Sequence, residues 1–555
     1  MKAERVNNAV NIECRRAGVF CIQTERRVGD PQWSLQSLGT GRTEHENWKT
    51  MKHHCNNAEA SQNPEKQYTL VEGTKPNGRC QLRLALRRVA VLFLFALCLL
   101  PFTAFKAVAA TYATDLTSQI DALFADSIRS NTPGAAVLIA RDGKRILERC
   151  YGLAQIEASV PITRDTRFRI GSITKQFTAA AILKLAEQGK LSVNDPVAKF
   201  IPDWPRGHEV TLRHLLNHSS GIPNFTVKPG FQINVTNAIP LDVLVASFKH
   251  DPYDFTPGAK FSYCNSGYVL LGFIIERVSG QTYDDFLRKT FFKPLGMTDT
   301  GVYHSGPPLA NEAIGYSYDN GVVHRSLNWD MSNVPAAGNL YSTAFDLFLW
   351  NEALFAGKVL STANTRAAFT VGVLAGDDPT HPEDIGYGYG WTMDRLNGAR
   401  EISHGGELAG FGSYLLRLPD YHLTVVVLLN CVPQLPNLQQ WATARRIARI
   451  TLGPELPPDA EPRVAINVPP PALAGITGRY DMGNSMTLVV TNVSDHVFAE
   501  ITGRKKFELL PESDRTFFVN SGQAVATFVR NTNDQVIKVI LRQAGDRIDA
   551  PKLAR

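Results

Sequence analysis

Ser172 and Lys175 stand three residues apart in the stretch Gly171-Ser172-Ile173-Thr174-Lys175-Gln176-Phe177. The residues after it, 178–188, are mostly strong helix formers, and Gly189 follows them. The spacing therefore predicts a helix that stops with Gly189 at its C′ position. Residues three apart are neighbours on a helix surface, so the Lys175 amine can reach the Ser172 hydroxyl. A serine at a helix start also faces unpaired amides and the positive end of the helix dipole, which favour an alkoxide. With a base beside it, such a hydroxyl becomes a nucleophile. An isolated S-x-x-K is more often a capping serine followed by a solvated lysine, but two later stretches change that balance.

The second stretch is Phe261-Ser262-Tyr263-Cys264-Asn265-Ser266-Gly267, ahead of a predicted helix. A tyrosine beside a protonated lysine has its phenolate favoured, so it can take the serine proton and return it to a leaving group. Asn265, two residues on, can hydrogen-bond both Lys175 and a substrate amide. The third stretch, Ser403-His404-Gly405-Gly406-Glu407, closes a predicted strand. Its two glycines would let a substrate backbone lie close to the strand edge. The Glu407 amide could join that of Ser172 as an oxyanion hole. Taken singly, His404 reads as a loop histidine and the glycines as a turn.

In this order, S-x-x-K, Y-x-N and H-x-G resemble the serine β-lactamase and penicillin-binding-protein superfamily, in particular its class C-like branch. Arg213–Gly221, Pro294–Met297, Ala337–Thr343 and Gly388–Trp391 resemble further landmarks of that family, and the likeness runs over roughly residues 115–450. It implies an acyl-accepting Ser172, with Lys175 and Tyr263 sharing the base and acid work. It also implies substrate contacts from Asn265, His404, Gly405 and Gly406, and an oxyanion hole from the backbone of Ser172 and Glu407. His404 would face a substrate carboxylate or the tyrosine. Many β-lactamases have a permanently charged lysine at that place, whereas a histidine is only partly cationic near neutral pH. The function expected is a serine hydrolase working through an acyl-enzyme on an ester or amide, as an esterase, D-aminopeptidase or DD-carboxypeptidase. Neither a metal nor an organic cofactor is implied. The rival readings are a class C-like β-lactamase and a penicillin-recognising sensor without turnover.

Several elements must position these groups. Residues 115–131 carry an amphipathic pattern with Leu116, Ile120, Leu123 and Phe124 on one side. Ala135–Ala140 and Arg145–Cys150 flank Asp142-Gly143, a strong hairpin signal. Helices and Pro/Gly-rich loops fill 190–390. Strands return at Arg400–His404, Phe411–Leu418 and His422–Asn430, and a closing helix at Leu438–Leu452. The pattern predicts an α+β fold: one antiparallel sheet built from both ends, flanked by helices, with an all-helical lobe inserted between them. The site would lie in the crevice between the lobes. A proline-rich linker, 454–471, then leads to seven short predicted strands in 472–555, read as a small all-β barrel. This last segment resembles the lipocalin-like barrels appended to some family members.

The chain has 555 residues and a formal charge of +6, yet residues 1–88 hold 15 Lys and Arg against 9 Asp and Glu. The excess belongs to the leader, so nothing points to nucleic acid as a partner of residues 111–453, the hydrolase segment. Residues 1–80 show no sustained apolar period and read as a non-structural leader or an over-long start. Within 83–110, Arg83, Arg87 and Arg88 precede the apolar run 89–105 and Ala107-Val108-Ala109. Basic flank, apolar core and small-residue site describe a secretory signal peptide, so export to the periplasm or medium is expected. An uncleaved run would instead act as a signal anchor, the one source of membrane association. The partner expected is a small ester, peptide or β-lactam substrate. Cys150, Cys264 and Cys431 are too scattered for a disulfide framework or a zinc site.

Overall fold

Asp142 and Gly143 both take left-handed backbone, with φ of 53° and 72°, the geometry of a tight hairpin turn. They join β1 (Ala135–Arg141) to β2 (Lys144–Tyr151). The computed structural model describes residues 115–372, 386–433, 435–457 and 465–554, apart from 484–485, 494–495, 503–505, 520–523 and 544–545. The leader 1–80, the 83–110 segment and residues 458–464 of the linker lie outside the described residues.

Five more strands complete the sheet: β3 (Gly386–Tyr387), β4 (Thr392–Leu396), β5 (Ala399–Leu408), β6 (Phe411–Leu418) and β7 (Leu423–Leu429). Their order is β3-β4-β5-β6-β7-β1-β2, antiparallel throughout. The early strand β1 thus lies beside the late strand β7, with Val137 opposite Val427. Both read as unbroken apolar runs because both faces of the sheet are covered. Ala135, Val137 and Ile139 pack with Leu116, Ile120 and Phe124 of α1 (115–125) and with Ala444, Ile447 and Ala448 of the closing helix Gln440–Leu452. Ala136, Leu138 and Ala140 face the opposite way, into the core of the inserted helices.

That second core is built around α2 (Thr174–Glu187), which packs against α3 (Asn265–Ser279). Ala179, Ala180, Ala181, Ile182 and Leu183 of α2 are all buried, as in a helix that is apolar all round. Gly189, at φ 69°, ends it as predicted.

The last segment departs from expectation in two places. Pro469-Pro470-Pro471 does not end an extended linker but opens a short helix, Pro470–Ile476; proline suits the first helical positions, where its missing N–H has no partner to lose. The seven predicted strands are joined by an eighth, Asp546–Pro551, and all eight form one consecutive antiparallel meander. A bridge between Tyr480 and Lys552 links the last strand back to the first, so the sheet is a nearly closed barrel. Tyr480, Phe517 and Phe528 pack inside it with ring centroids 5.4 to 5.8 Å apart.

Candidate active site

From Phe168 to Leu183 every residue is buried except Ser172. The cause is local. Ser172 lies in a single 3-10 turn, Gly171–Ile173, immediately before α2, and its side chain makes no cap bond. Gly171 holds φ at 49°, and a Cβ there would sit 2.8 Å from the Glu407 amide nitrogen. Only glycine lets the turn press this closely on β5. The Gly171 backbone, one residue before Ser172, thus lies against the Glu407 amide.

Lys175 is fully buried. Its Nζ lies 2.9 Å from Ser172 Oγ, 2.8 Å from Asn265 Oδ1 and 2.8 Å from the Ala337 carbonyl oxygen. Three contacts of this kind would suit an ammonium, but burial pushes the amine well below its ordinary pKa. No carboxylate lies among those three partners to offset the loss of water, so burial prevails and the amine is neutral. The amide and carbonyl oxygens can only accept, so they take two N–H groups. The remaining direction on Nζ points at Ser172 Oγ, and in the neutral amine it is a lone pair.

Asn265, the first residue of α3, is held at both ends. Its Oδ1 accepts from Lys175, its Nδ2 donates to Thr226 Oγ1 at 2.9 Å, and its backbone N–H donates to Asn224 Oδ1. One Nδ2 hydrogen is left over from the Thr226 bond, so the amide orients the lysine and keeps one donor. Tyr263 is half-buried, with the Lys175 ammonium position 4.8 Å from its ring centroid.

The third stretch differs from expectation in its conformation and its charge. Gly405, Gly406 and Glu407 lie within β5 rather than beyond the strand end predicted at His404, because Gly405 and Gly406 pair with Tyr414 and Ser413 of β6. On the other edge β4 pairs only as far as Ser403, so among the described residues 404–408 have no strand partner there. Gly406 is small for an internal reason: a Cβ there would lie 2.0 Å from the Ile170 carbonyl oxygen. Gly405 is less crowded, its nearest neighbour being the Tyr414 ring edge at 3.3 Å. His404 is 4% exposed. Its Nδ1 lies 2.5 Å from the Gly405 carbonyl, which can only accept, so Nδ1 carries the hydrogen. Its Nε2 then accepts from the Tyr387 hydroxyl at 2.8 Å. Burial pushes its pKa down to about 3. His404 is thus a neutral ring near Tyr263, with centroids 6.4 Å apart; of its two expected neighbours, a substrate carboxylate or the tyrosine, it is the tyrosine that lies beside it.

Reasoning from the sequence missed His218, Asn224, Thr226, Ala337 and Tyr387. His218 and Ala337 fall inside landmark stretches, which was their only signal. Ala337 acts through its carbonyl, which any residue has. The last barrel strand, Asp546–Pro551, runs beside β3, which carries Tyr387.

A buried lysine facing a half-buried serine at a glycine turn, against strand β5, places this chain among the serine hydrolases. A family model described as Beta-lactamase matches residues 115–450, and the chain belongs to that family. "Penicillin-binding protein 4*" of Bacillus subtilis (strain 168) is 28% identical over 443 residues, covering 75% of this chain and 94% of that protein. The octameric penicillin-binding protein homologue from Pyrococcus abyssi is similar over 79% of this chain and 99% of its own, with a TM-score of 0.55 and 28% identity. The D-amino acid amidase from Ochrobactrum anthropi SV3 is similar over 61% of this chain and 99% of its own, with a TM-score of 0.53 and 26% identity.

Proposed function

We propose that the protein hydrolyses an ester or amide through an acyl-enzyme on Ser172, and that its substrate needs no carboxylate for recognition. The observation that carries the first part is the Lys175 amine, stripped of water and held with its remaining direction on Ser172 Oγ. Neutral Lys175 takes the hydroxyl proton as Oγ attacks the substrate carbonyl. The amides of Ser172 and Glu407 receive the oxyanion, and Tyr263 passes its proton to the leaving group and regains one from the Lys175 ammonium, which returns the amine to its neutral form. Water then enters by the reverse path and releases the acid. Each oxyanion donor of this kind contributes about 3–4 kcal/mol to the barrier reduction.

The substrate class rests on His404. A neutral imidazole with both nitrogens occupied offers no charge to a carboxylate, which favours esters and amides such as D-amino-acid amides over β-lactams and peptides with a free C-terminal carboxylate. The D-amino acid amidase among the similar structures supports an amide substrate. A β-lactamase remains the second reading, favoured by the family match. Export follows from the basic flank, apolar run and Ala107-Val108-Ala109; N-terminal sequencing of the native product should find a start near Ala110.

One screen tests the activity. Purified protein is offered a small chromogenic ester, a D-alanyl amide, a D-alanyl peptide and a cephalosporin, with Ser172→Ala alongside. Ester or amide turnover lost in Ser172→Ala is the expected result. Turnover that survives Ser172→Ala, or efficient hydrolysis of the cephalosporin alone, would overturn the proposal.

A further inference from the structure

We propose that His218 is a positioning residue for Tyr263, gripping the tyrosine from three sides; this rests on the reading above that Tyr263 moves protons. His218 carbonyl accepts from the Ser262 N–H at 2.9 Å, and its Nδ1 accepts from the Cys264 N–H at 3.1 Å. The residues immediately before and after Tyr263 are thus tied to one histidine. The imidazole itself lies against the tyrosine ring, with centroids 4.3 Å apart and planes tilted by 39°. Tyr268 and Tyr387 back the imidazole at 5.1 and 4.6 Å.

The arrangement is costly for a residue that only fills space. His218 holds a left-handed backbone, φ 60°, which a non-glycine residue adopts only where its surroundings demand it. It is 1% exposed, and its Nε2 has no hydrogen-bond partner among the described residues. An N–H donor on Cys264 requires a lone pair on Nδ1, so the ring must be neutral, with its hydrogen on that unpartnered Nε2. Burial keeps it so. Asparagine would tolerate the backbone and supply the acceptor, and a large apolar residue would fill the space. Only histidine does both while laying a flat ring against Tyr263.

The test is a double-mutant cycle. His218→Asn keeps an acceptor and the left-handed backbone but loses the ring; His218→Phe keeps a ring but loses the acceptor. Each is made alone and with Tyr263→Phe, and kcat and KM are measured on a small ester, normalised to the folded fraction from circular dichroism. Alone, each His218 variant should lower kcat by about tenfold or more with KM within about threefold. In the Tyr263→Phe background neither should lower it by more than about twofold, because the group it positions is gone. Equal losses in both backgrounds would show a merely structural role and overturn the inference while leaving Tyr263 its part. An unchanged kcat in Tyr263→Phe alone would overturn the proton-transfer reading and this inference with it. Should the phenylalanine variant not fold, the asparagine variant carries the test.

Discussion

Gly406→Ala should disable the oxyanion hole without touching any side chain of the site. The added methyl would lie 2.0 Å from the Ile170 carbonyl oxygen and 2.4 Å from Ser413 Oγ. Neither can turn aside: the first is backbone, and the second donates to that same carbonyl at 2.8 Å. Relief therefore demands about 1 Å of separation between β5 and the residue that leads into the nucleophile turn. Glu407 is the next residue on that strand, so its amide is carried away from Ser172 by a similar amount. A misplacement of about 1 Å costs roughly 100-fold in rate, close to the loss of one oxyanion donor at about 10²–10³-fold. Steady-state kinetics on a small ester should show that fall in kcat with KM nearly constant, in protein that still melts cooperatively. Gly405→Ala is the control, since its methyl meets only the Tyr414 ring edge at 3.3 Å; it should stay within about threefold of wild type. A folded Gly406→Ala enzyme of near-normal kcat, or an equal loss in Gly405→Ala, would refute the reasoning.

Lys175→Met should slow fluorophosphonate labelling of Ser172 by about 10²–10⁴-fold, and labelling at the wild-type rate would remove Lys175 as the base. In the wild type that rate should climb with pH along a limb whose midpoint lies below 10.5, the ordinary lysine value, because burial favours the neutral amine. The unfolded chain binds the extra proton between the two pKa values, so Lys175 makes stability rise with pH across that window, and Lys175→Met should flatten this part of a urea-unfolding profile. His404 should give no acid-side gain in binding a carboxylate-bearing substrate over its neutral amide between pH 8 and 5, since its pKa is about 3; a KM ratio that shifts toward the carboxylate near pH 6 would show a titrating imidazole. By the same sign, stability should fall as pH drops from the ordinary histidine value of 6.5 toward 3, by up to about 1.4 kcal/mol per pH unit from this one group. Removing the barrel after residue 468 should lower kcat/KM for a bulky ester more than for a small one, because the last barrel strand adjoins the strand of Tyr387. Equal losses on both would make the barrel a stabiliser only.

Much of the frame was legible because its causes are short-range. The Asp142-Gly143 turn, the α2 helix with its Gly189 stop and most of the barrel strands follow from neighbours in the chain. The predicted β5 strand stopped short at His404 for the same reason. Two glycines in a row look like a turn, and only their pairing with Ser413 and Tyr414 keeps them extended. The prolines at 469–471 look like a linker until the helix they start is seen.

From the sequence alone came the Ser172–Lys175 pair, since three residues of helix bring them together whatever else the chain does. The order of Tyr263, Asn265 and His404 behind them was equally plain. Of the two distant acceptors that hold the lysine, Asn265 was expected, whereas the Ala337 carbonyl, 162 residues away, came only from the tertiary structure. The charge state of His404 and the need for a neutral His218 were hidden as well. A residue type fixes which proton can move, but burial and distant partners decide whether it does, and those arise only when remote segments pack.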